Sequence, residues 1–352
     1  MGQPWLSEAL NADHEAVTIH HQLAVIAPDA YRPYLAGALT NLAARLGAVG
    51  QREAALAAAQ EATDLYRGVA AKAPGAYRPD LARALTNLAI RLIEIGRRQE
   101  ALAPAQEAAD LYRELAAKAP DAYRPYLAGA LNNLANSLSA VGQIREALAP
   151  AQEALDLYRE LAAKTPYAYR ADLAMALNTL AVRMSEVGRH QEALTSAQEA
   201  AHLYRELAAK APDAYRPDLA MALDNLATVL SEVGDREGAI APAREAADLY
   251  RELAAVAPNA YLPALAGSLA VLANCLEQNG DIAGAFEQNR EAIEIYRPYF
   301  LAQPQAFVHR MVPMRRQYIE RCEELGHEPD EALLGPIAAV LQEMQERAGE
   351  DA

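Results

Sequence analysis

The residues best suited to chemistry form a small cluster near the N-terminus: His14, Glu15, His20 and His21. Imidazole and carboxylate groups are the side chains with which proteins hold zinc. A zinc-binding pair of histidines on a helix favours a separation of four residues, whereas His14 and His21 are seven apart. We therefore expect no metal site here. His20 and His21 instead stand where a repeated pattern has Tyr66 and Arg67.

No catalytic signature accompanies this cluster. The chain lacks the P-loop pattern GxxxxGK[ST], the metalloprotease pattern HExxH, the hydrolase pattern GxSxG and the redox pattern CxxC. A tyrosine recurs at positions 66, 112, 158, 204, 250 and 296, which is typical of packing residues. The sequence therefore predicts a protein that is not an enzyme, with no catalytic residues and no cofactor.

Composition restricts the class of partner. The formal net charge is −15, whereas nucleic-acid binders carry a basic surface, so we expect protein partners that are basic or neutral. No run of 18 apolar residues occurs, so no membrane span is expected. The N-terminal residues do not resemble a secretory signal, and only Cys275 and Cys322 could form a disulfide. We therefore expect free thiols and a cytoplasmic location.

The elements that position these residues repeat every 46 residues. A proline marks the period at positions 28, 74, 120, 166, 212, 258 and 304. A fixed period of this length indicates a solenoid, in which each unit is buried by stacking on its neighbours. We expect one domain over residues 1–352. It consists of a half repeat (1–27), six repeats (28–303) and a degenerate capping repeat (304–352).

Each repeat reads as two antiparallel helices. In the repeat from Ala73 to Lys118, apolar residues from Leu81 to Ile95 follow helical spacing, with Pro79 expected in the first turn. Gly96 is expected to end this helix, and a second helix is predicted from about residue 98 to 118. The fold class is therefore all-α, an α/α solenoid.

The spacing resembles that of the tetratricopeptide repeat. The residues that carry the resemblance are Leu85, Leu88, Ala89, Leu92, Gly96, Ala101 and Ala108. Residues 79–89 resemble the first helix of the kinesin-light-chain type, although the unit of 46 residues exceeds the ordinary length of about 34. The array resembles bacterial ones. The resemblance implies a right-handed superhelix of helix pairs and a protein- or peptide-binding role.

Variation between repeats points to a surface. Between residues 73–118 and 119–164, 13 of 46 positions differ, and 12 of these precede the second helix's Glu100. Positions 83, 86, 90 and 93 lie on one stripe of the first helix, which the resemblance places in a concave groove. Relaxed constraint at exposed positions is the alternative explanation. The candidate ligand-binding residues are Arg83, Thr86, Asn87, Ile90, Asn132, Asn133, Asn136, Asn178, Asp224 and Asn225.

Asparagine is the most frequent polar residue among these candidates. It is a mediocre helix former, so its recurrence inside helices needs a reason. One reason is an amide ladder that binds the backbone of an extended peptide, which we favour for Asn132, Asn136 and Asn178. The other is a bond to the backbone of an adjacent helix, which we favour for Asn87, Asn133 and Asn225, because that position recurs at a constant place.

Two functions remain open. The first is a non-catalytic scaffold that binds a protein or an extended peptide in the groove. The alternative is a sensor or regulatory arm of a bacterial signalling ATPase or protease system whose effector domain is absent from this chain. The initial half repeat exposes an apolar face that includes Leu10, Val17 and Leu23. We therefore expect self-association through this helix, or an upstream segment that covered it.

Overall fold

The computed structural model of the protein describes residues 4–350, and the side chains of residues 8–347. These residues form α-helices and no strand, and the chain divides into two compact units after Val187. The first unit contains α1 (Pro4–Ile26), α2 (Pro28–Ala48), α3 (Arg52–Lys72), α4 (Pro74–Glu94), α5 (Arg98–Lys118), α6 (Pro120–Ala140), α7 (Ile144–Lys164) and α8 (Pro166–Glu186). The second contains α9 (His190–Lys210), α10 (Pro212–Glu232), α11 (Arg236–Val256), α12 (Pro258–Gln278), α13 (Ile282–Ala302), α14 (Pro304–Leu325) and α15 (Glu331–Glu350).

Within each unit the helices pack in chain order. Consecutive helices from α1 to α8 are in contact, as are those from α9 to α14. The first helices of successive repeats also contact each other, α2 with α4, α4 with α6, α6 with α8, and α10 with α12. The predicted all-α stack of helix pairs is confirmed. A single continuous solenoid over residues 1–352 stays a prediction.

The start of the first helix differs from the sequence prediction. Pro79 was expected in the first turn, but α4 begins at Pro74, and Pro79 lies inside the helix. Pro74 suits the first helical position because its missing N–H would have had no partner there. The additional turn places Tyr77 against the core beside Leu81 and Leu85. This packing accompanies the loss of one backbone hydrogen bond at Pro79.

The predicted end of the first helix is confirmed. Gly96 has φ +84°, in the left-handed region that favours glycine. Its N–H donates to the Ile93 carbonyl, and the N–H of Arg97 donates to the Leu92 carbonyl at 2.9 Å. These two bonds satisfy carbonyl groups that the helix end leaves free. The second helix begins at Arg98, as the spacing predicted.

The core consists mainly of alanine and leucine, with one tyrosine in each repeat. The alanines at positions 55, 101, 147, 193, 239 and 285 are fully buried. Tyr112 on α5 is also buried, and its hydroxyl donates to the Pro79 carbonyl at 3.4 Å. Tyr158 and Tyr250 make the equivalent bond to Pro125 and Pro217. The recurring tyrosines therefore pack between helices.

The ends of the array depart from the pattern. On α1, Leu10 and Val17 are partly buried against the core of α2 and α3, so this part of the apolar face is covered. At the other end, α14 buries Met311, Met314 and Tyr318. Aromatic and methionine side chains thus fill the volume that leucine and alanine fill elsewhere in the stack.

One described helix, α12, contains a window of 18 residues that is long and apolar enough to cross a membrane. The sequence expectation of no span relied on uninterrupted apolar runs, a stricter criterion. Half of that window is buried, and α12 packs against α10, α11 and α13. A core helix of a stack passes the same test, so α12 is weak evidence for a membrane span.

Candidate binding face

The stripe that varies between repeats lies along each first helix. We call the four positions that form it on one helix a first-helix strip. The strips are residues 83, 86, 90 and 93 on α4, residues 129, 132, 136 and 139 on α6, residues 175, 178, 182 and 185 on α8, residues 221, 224, 228 and 231 on α10, and residues 267, 270, 274 and 277 on α12.

The strip of α4 mixes charge with apolar surface. Arg83 is exposed, and its guanidinium donates to Asp80 at 3.1 Å. The Thr86 hydroxyl donates to the Ala82 carbonyl of its own helix at 2.9 Å. Ile90 is half-buried. Arg83 and Ile90 therefore present a cationic and an apolar group to the solvent side of this helix.

The position of Asn87 serves packing. The Asn87 amide on α4 donates to the Thr40 carbonyl on α2 at 3.1 Å, so it links two successive first helices. The interpretation of Asn87 as a bond to an adjacent helix is confirmed. Asn133 and Asn225 occupy the same position in their repeats and are half-buried. Their interpretation stays a prediction.

Two of the asparagines that we expected to bind a ligand, Asn132 and Asn178, are less accessible than that role requires. Asn132 and Asn178 are 3% and 5% exposed, whereas Asn136 is exposed. Neither the oxygen nor the nitrogen of the Asn132 amide has a hydrogen-bond partner among the described residues. Asn136 is therefore ready to contact a ligand. Asn132 and Asn178 could do so only after their side chains turned outward, and their role stays a prediction.

Asp224 occupies the position of Asn132 in the second unit, and it does have a partner. The Ser268 hydroxyl on α12 donates to the Asp224 carboxylate at 2.7 Å. Burial raises the pKa of Asp224 from its ordinary value to about 7, although the Ser268 bond and the Arg310 charge oppose that rise. Ser268 lies 44 residues after Asp224, and the residue 44 after Asn132 is Ala176. The absence of a hydroxyl at position 176 explains why Asn132 is unbonded.

The last complete strip is covered by the chain itself. Arg310 of α14 lies against Gly267, so that a Cβ added at Gly267 would come within 2.8 Å of the guanidinium. Arg321, which is fully buried, donates to Asn274 at 2.8 Å and to the Glu277 carboxylate at 2.6 Å. Two arginines from the degenerate repeat therefore occupy the strip of α12.

Two other glycines on the first helices leave open notches. A Cβ added at Gly37 would meet only the Tyr66 hydroxyl within 4 Å, at 3.3 Å. One added at Gly129 would meet only the Tyr158 hydroxyl, at 3.4 Å. Each notch thus has a tyrosine hydroxyl at its floor. Sequence reasoning missed these notches, because glycine was treated as one variable residue among others.

The N-terminal histidines are engaged in local contacts. His20 Nδ1 lies 2.8 Å from the Ala16 carbonyl oxygen. His21 Nε2 lies 3.0 Å from the Glu61 carboxylate, in the place where Arg67 pairs with Glu107 one repeat later. Within residues 8–347, no three histidine, cysteine or acidic side chains come together as metal ligands. The interpretation of His21 as a replacement for the arginine of the repeat is therefore confirmed.

The outer face of the second helices has a different character. On this face, an arginine of one second helix pairs with a glutamate 40 residues later, on the second helix of the following repeat. The pairs are Arg67–Glu107, Arg113–Glu153, Arg205–Glu245 and Arg251–Glu291, with separations from 2.5 to 3.3 Å. This face thus neutralises much of its own charge, whereas the Asn132 and Asn136 amides on the strip of α6 have no hydrogen-bond partner among the described residues.

Comparison with known proteins agrees with this architecture. The model of the tetratricopeptide repeat family matches residues 81–117, 127–162, 173–209 and 219–254. The predicted family is therefore confirmed. No protein of curated function matches the chain in sequence.

Several solved structures share the fold. BtubC (BKLC) from P. vanneervenii has 19% identity and a TM-score of 0.52, covering 69% of this chain and 90% of that one. A Rap protein complexed with Competence and Sporulation Factor has 17% identity and a TM-score of 0.52, covering 83% of this chain and 77% of that one. At these identities the likeness establishes the fold alone.

Proposed function

Because this chain is a tetratricopeptide repeat protein, we propose that it is a non-catalytic scaffold that binds a protein or an extended peptide on its first-helix strips. The observation that carries the proposal is that the core positions keep one residue type through the repeats, whereas the strip positions vary. The buried alanine and tyrosine positions keep one residue type through the repeats, whereas equivalent strip positions carry Arg83, Gly129 and Met175. A surface that changes its chemistry over a constant core is suited to recognising an irregular ligand.

Polar groups without hydrogen-bond partners support ligand binding on the same strips. Asn136 is exposed on α6 and makes no hydrogen bond among the described residues, and the Asn132 amide nearby is unbonded. Buried polar groups are usually hydrogen-bonded, so an unbonded amide has a contact to gain from a ligand. The outer face offers fewer such groups, because its arginines already pair with glutamates.

Fold-level likeness adds limited support. The Rap protein that shares this fold was solved as a complex with Competence and Sporulation Factor, so a stack of this kind can hold a partner. The place of binding on this chain is proposed from its own first-helix strips. The cytoplasmic location stays a prediction.

Self-association through α1 is a second contact that we propose to test. Leu10 and Val17 are partly covered by the core, but Ile19, Val25 and Ile26 are 45%, 82% and 79% exposed. Light scattering should show a dimer that dissociates when all three are changed to lysine. A wild-type protein that is monomeric at high concentration would contradict this contact without affecting the peptide-binding proposal.

The peptide-binding proposal is tested with a phage-displayed library of random 12-residue peptides, selected against the full chain. Selected peptides are then titrated against Asn136→Arg on α6 and against Ala163→Arg on α7. Both positions are exposed, and Ala163 lies on a second helix outside the strips. We expect Asn136→Arg to weaken binding at least about tenfold, a loss of about 1.4 kcal/mol. Unchanged binding to Asn136→Arg, or a library that yields no binder, would contradict the proposal.

A further inference from the structure

The strip of α12 shows which group fits a glycine notch in this chain. Gly267 has no side chain, and the guanidinium of Arg310 fills the space that a Cβ would enter. Arg310 comes from α14, the next first helix, and it lies close enough to Asp224 for its charge to act on that carboxylate. An arginine side chain resting on glycine, with a carboxylate nearby, is therefore a contact that the protein already makes within itself.

The notch at Gly129 has the same place on its helix but no occupant. Gly129 precedes Gly267 by three repeats, and nothing except the Tyr158 hydroxyl lies within 4 Å of its Cβ position. The residue of α8 that corresponds to Arg310 is Asp172. The neighbouring helix thus offers a carboxylate at the position from which Arg310 supplies a guanidinium.

The groups around the Gly129 notch favour a cation. Asp172 is half-buried, has no hydrogen bond or ion pair among the described residues, and lies near Tyr158. Burial raises the pKa of Asp172, as expected for a carboxylate that lacks a compensating positive charge. The Tyr158 hydroxyl donates to the Pro125 carbonyl at 3.5 Å, which leaves its oxygen free to accept a hydrogen bond.

An aromatic ring adds to the site. Tyr126 precedes Gly129 by one helical turn, is exposed, and stacks on Tyr112 with ring centroids 5.7 Å apart. The stacking fixes one face of the Tyr126 ring against the protein. Its remaining surface can attract a cation through the ring quadrupole, a contact that arginine makes more often than lysine.

The notch at Gly37 is different. The corresponding neighbour there is Asp80, which already pairs with Arg83 at 3.1 Å. Arg83 also lies close to the Tyr66 hydroxyl that forms the floor of that notch. The Asp80 carboxylate near the Gly37 notch therefore already has a cationic partner, whereas the Asp172 carboxylate near the Gly129 notch has none among the described residues.

We propose that the Gly129 notch binds an arginine side chain of an extended peptide, with Asp172 as the carboxylate that pairs with it and Tyr158 and Tyr126 as its floor and rim. This inference rests on the peptide-binding function proposed above and names the ligand chemistry. Arginine fits because its planar guanidinium pairs with carboxylates in a fixed geometry and stacks on aromatic rings. The net charge of −15 further favours a basic ligand.

The test uses the peptides selected from the random 12-residue library. Each arginine in a selected peptide is replaced in turn by citrulline, which has nearly the same shape but no charge. The protein variants are Gly129→Met and Asp172→Asn. Methionine is the residue at the equivalent positions of α8 and α10, Met175 and Met221, so this variant is expected to fold. The controls are Gly68→Met, which adds the same side chain in open space on α3, and Asp156→Asn on α7.

We expect selected peptides to be rich in arginine and one citrulline replacement to weaken binding about 10- to 100-fold. Gly129→Met and Asp172→Asn should each cause a similar loss, while both controls bind normally and circular dichroism is unchanged. Peptides that bind without arginine, or that bind Gly129→Met and Asp172→Asn normally, would overturn the arginine site but leave the proposed function intact. A library that yields no binder at all would overturn both.

Discussion

The Ser268 hydroxyl donates to the Asp224 carboxylate at 2.7 Å, and this bond joins two successive first helices of the second unit. It is the only direct partner that the structure gives to this carboxylate among the described residues. Arg310, Tyr250 and Cys275 lie near enough to interact with it electrostatically. Asp224 is thus a titratable group at a strip position that carries threonine, asparagine or alanine in the other strips.

The raised pKa of Asp224 makes stability depend on pH. Its pKa is about 7 in the folded protein against an ordinary 3.8, so the folded state holds a proton that the unfolded state has released between these values. The contribution to stability is therefore complete below about pH 4 and is lost as the pH rises to 7, by up to about 1.4 kcal/mol per pH unit.

Asp224→Asn should remove this dependence. Relative to the wild type, we expect the variant to gain about 2.5 kcal/mol between pH 5 and pH 8 in urea unfolding. Asp213→Asn, an exposed carboxylate on the same helix, is the control and should show no such gain. If both variants follow the wild-type pH profile, Asp224 titrates as an ordinary carboxylate.

The unbonded amide of Asn132 can be given a partner. Ala176 stands where Ser268 stands relative to Asp224, so Ala176→Ser should place a hydroxyl beside the amide. We expect a gain of about 1 kcal/mol in the free energy of unfolding, the ordinary net value of a hydrogen bond. Ala84→Ser is the control, because Ala84 stands in the same relation to Thr40. The Thr40 hydroxyl already bonds to the Ala36 carbonyl, so this change should give no gain. Equal effects of the two changes would contradict the assignment.

Much of the fold could be predicted from the sequence, because the same spacing of apolar residues, glycine and proline recurs in several repeats. The glycine at position 96 and the second-helix start at residue 98 are fixed by local backbone chemistry, and both were predicted correctly. The helix start at Pro74 was not predicted, because both Pro74 and Pro79 suit the first turn of a helix. The choice between Pro74 and Pro79 depends on the packing of Tyr77, which is a tertiary contact.

The candidate site was less predictable for a related reason. Asn132 and Asn178 share one repeat position and are both buried, whereas Asn136, one helical turn after Asn132 on the same helix, is exposed. The sequence pattern does not specify which of these two positions the neighbouring helices cover. The position of Asn87 was interpretable because its recurrence indicated a structural bond. The covering of α12 by Arg310 and Arg321 had no sequence signal, since it depends on side chains reaching across from another helix.

Close helix packing predicts the effect of enlarging a core alanine. Ala147 is fully buried where α7 crosses its neighbours, so Ala147→Leu should overpack the contact and cost about 1–3 kcal/mol. Ala163→Leu, on an exposed position of the same helix, should change the urea midpoint little. A stable Ala147→Leu protein would mean that the helices can separate at this crossing without penalty.

Two glycines on first helices should respond differently to alanine. Gly129→Ala adds a methyl group at an ordinary contact distance from Tyr158 and should stabilise its helix by about 0.5–1 kcal/mol. At Gly47 the added Cβ would overlap the Arg91 guanidinium, which is buried and pairs with Glu94. Gly47→Ala should therefore give no gain in melting temperature. A gain equal to that of Gly129→Ala would show that Arg91 moves away freely.

The central claim is that ligands bind the first-helix strips, and the most direct test is site-specific photocrosslinking. A benzophenone amino acid replaces either Asn136 on α6 or Ala163 on α7, both exposed, and a library-selected peptide is added before illumination. We predict a crosslinked peptide from position 136 and none from position 163, with the product lost when unlabelled peptide competes. Crosslinking from position 163 alone, or equally from both, would contradict the account.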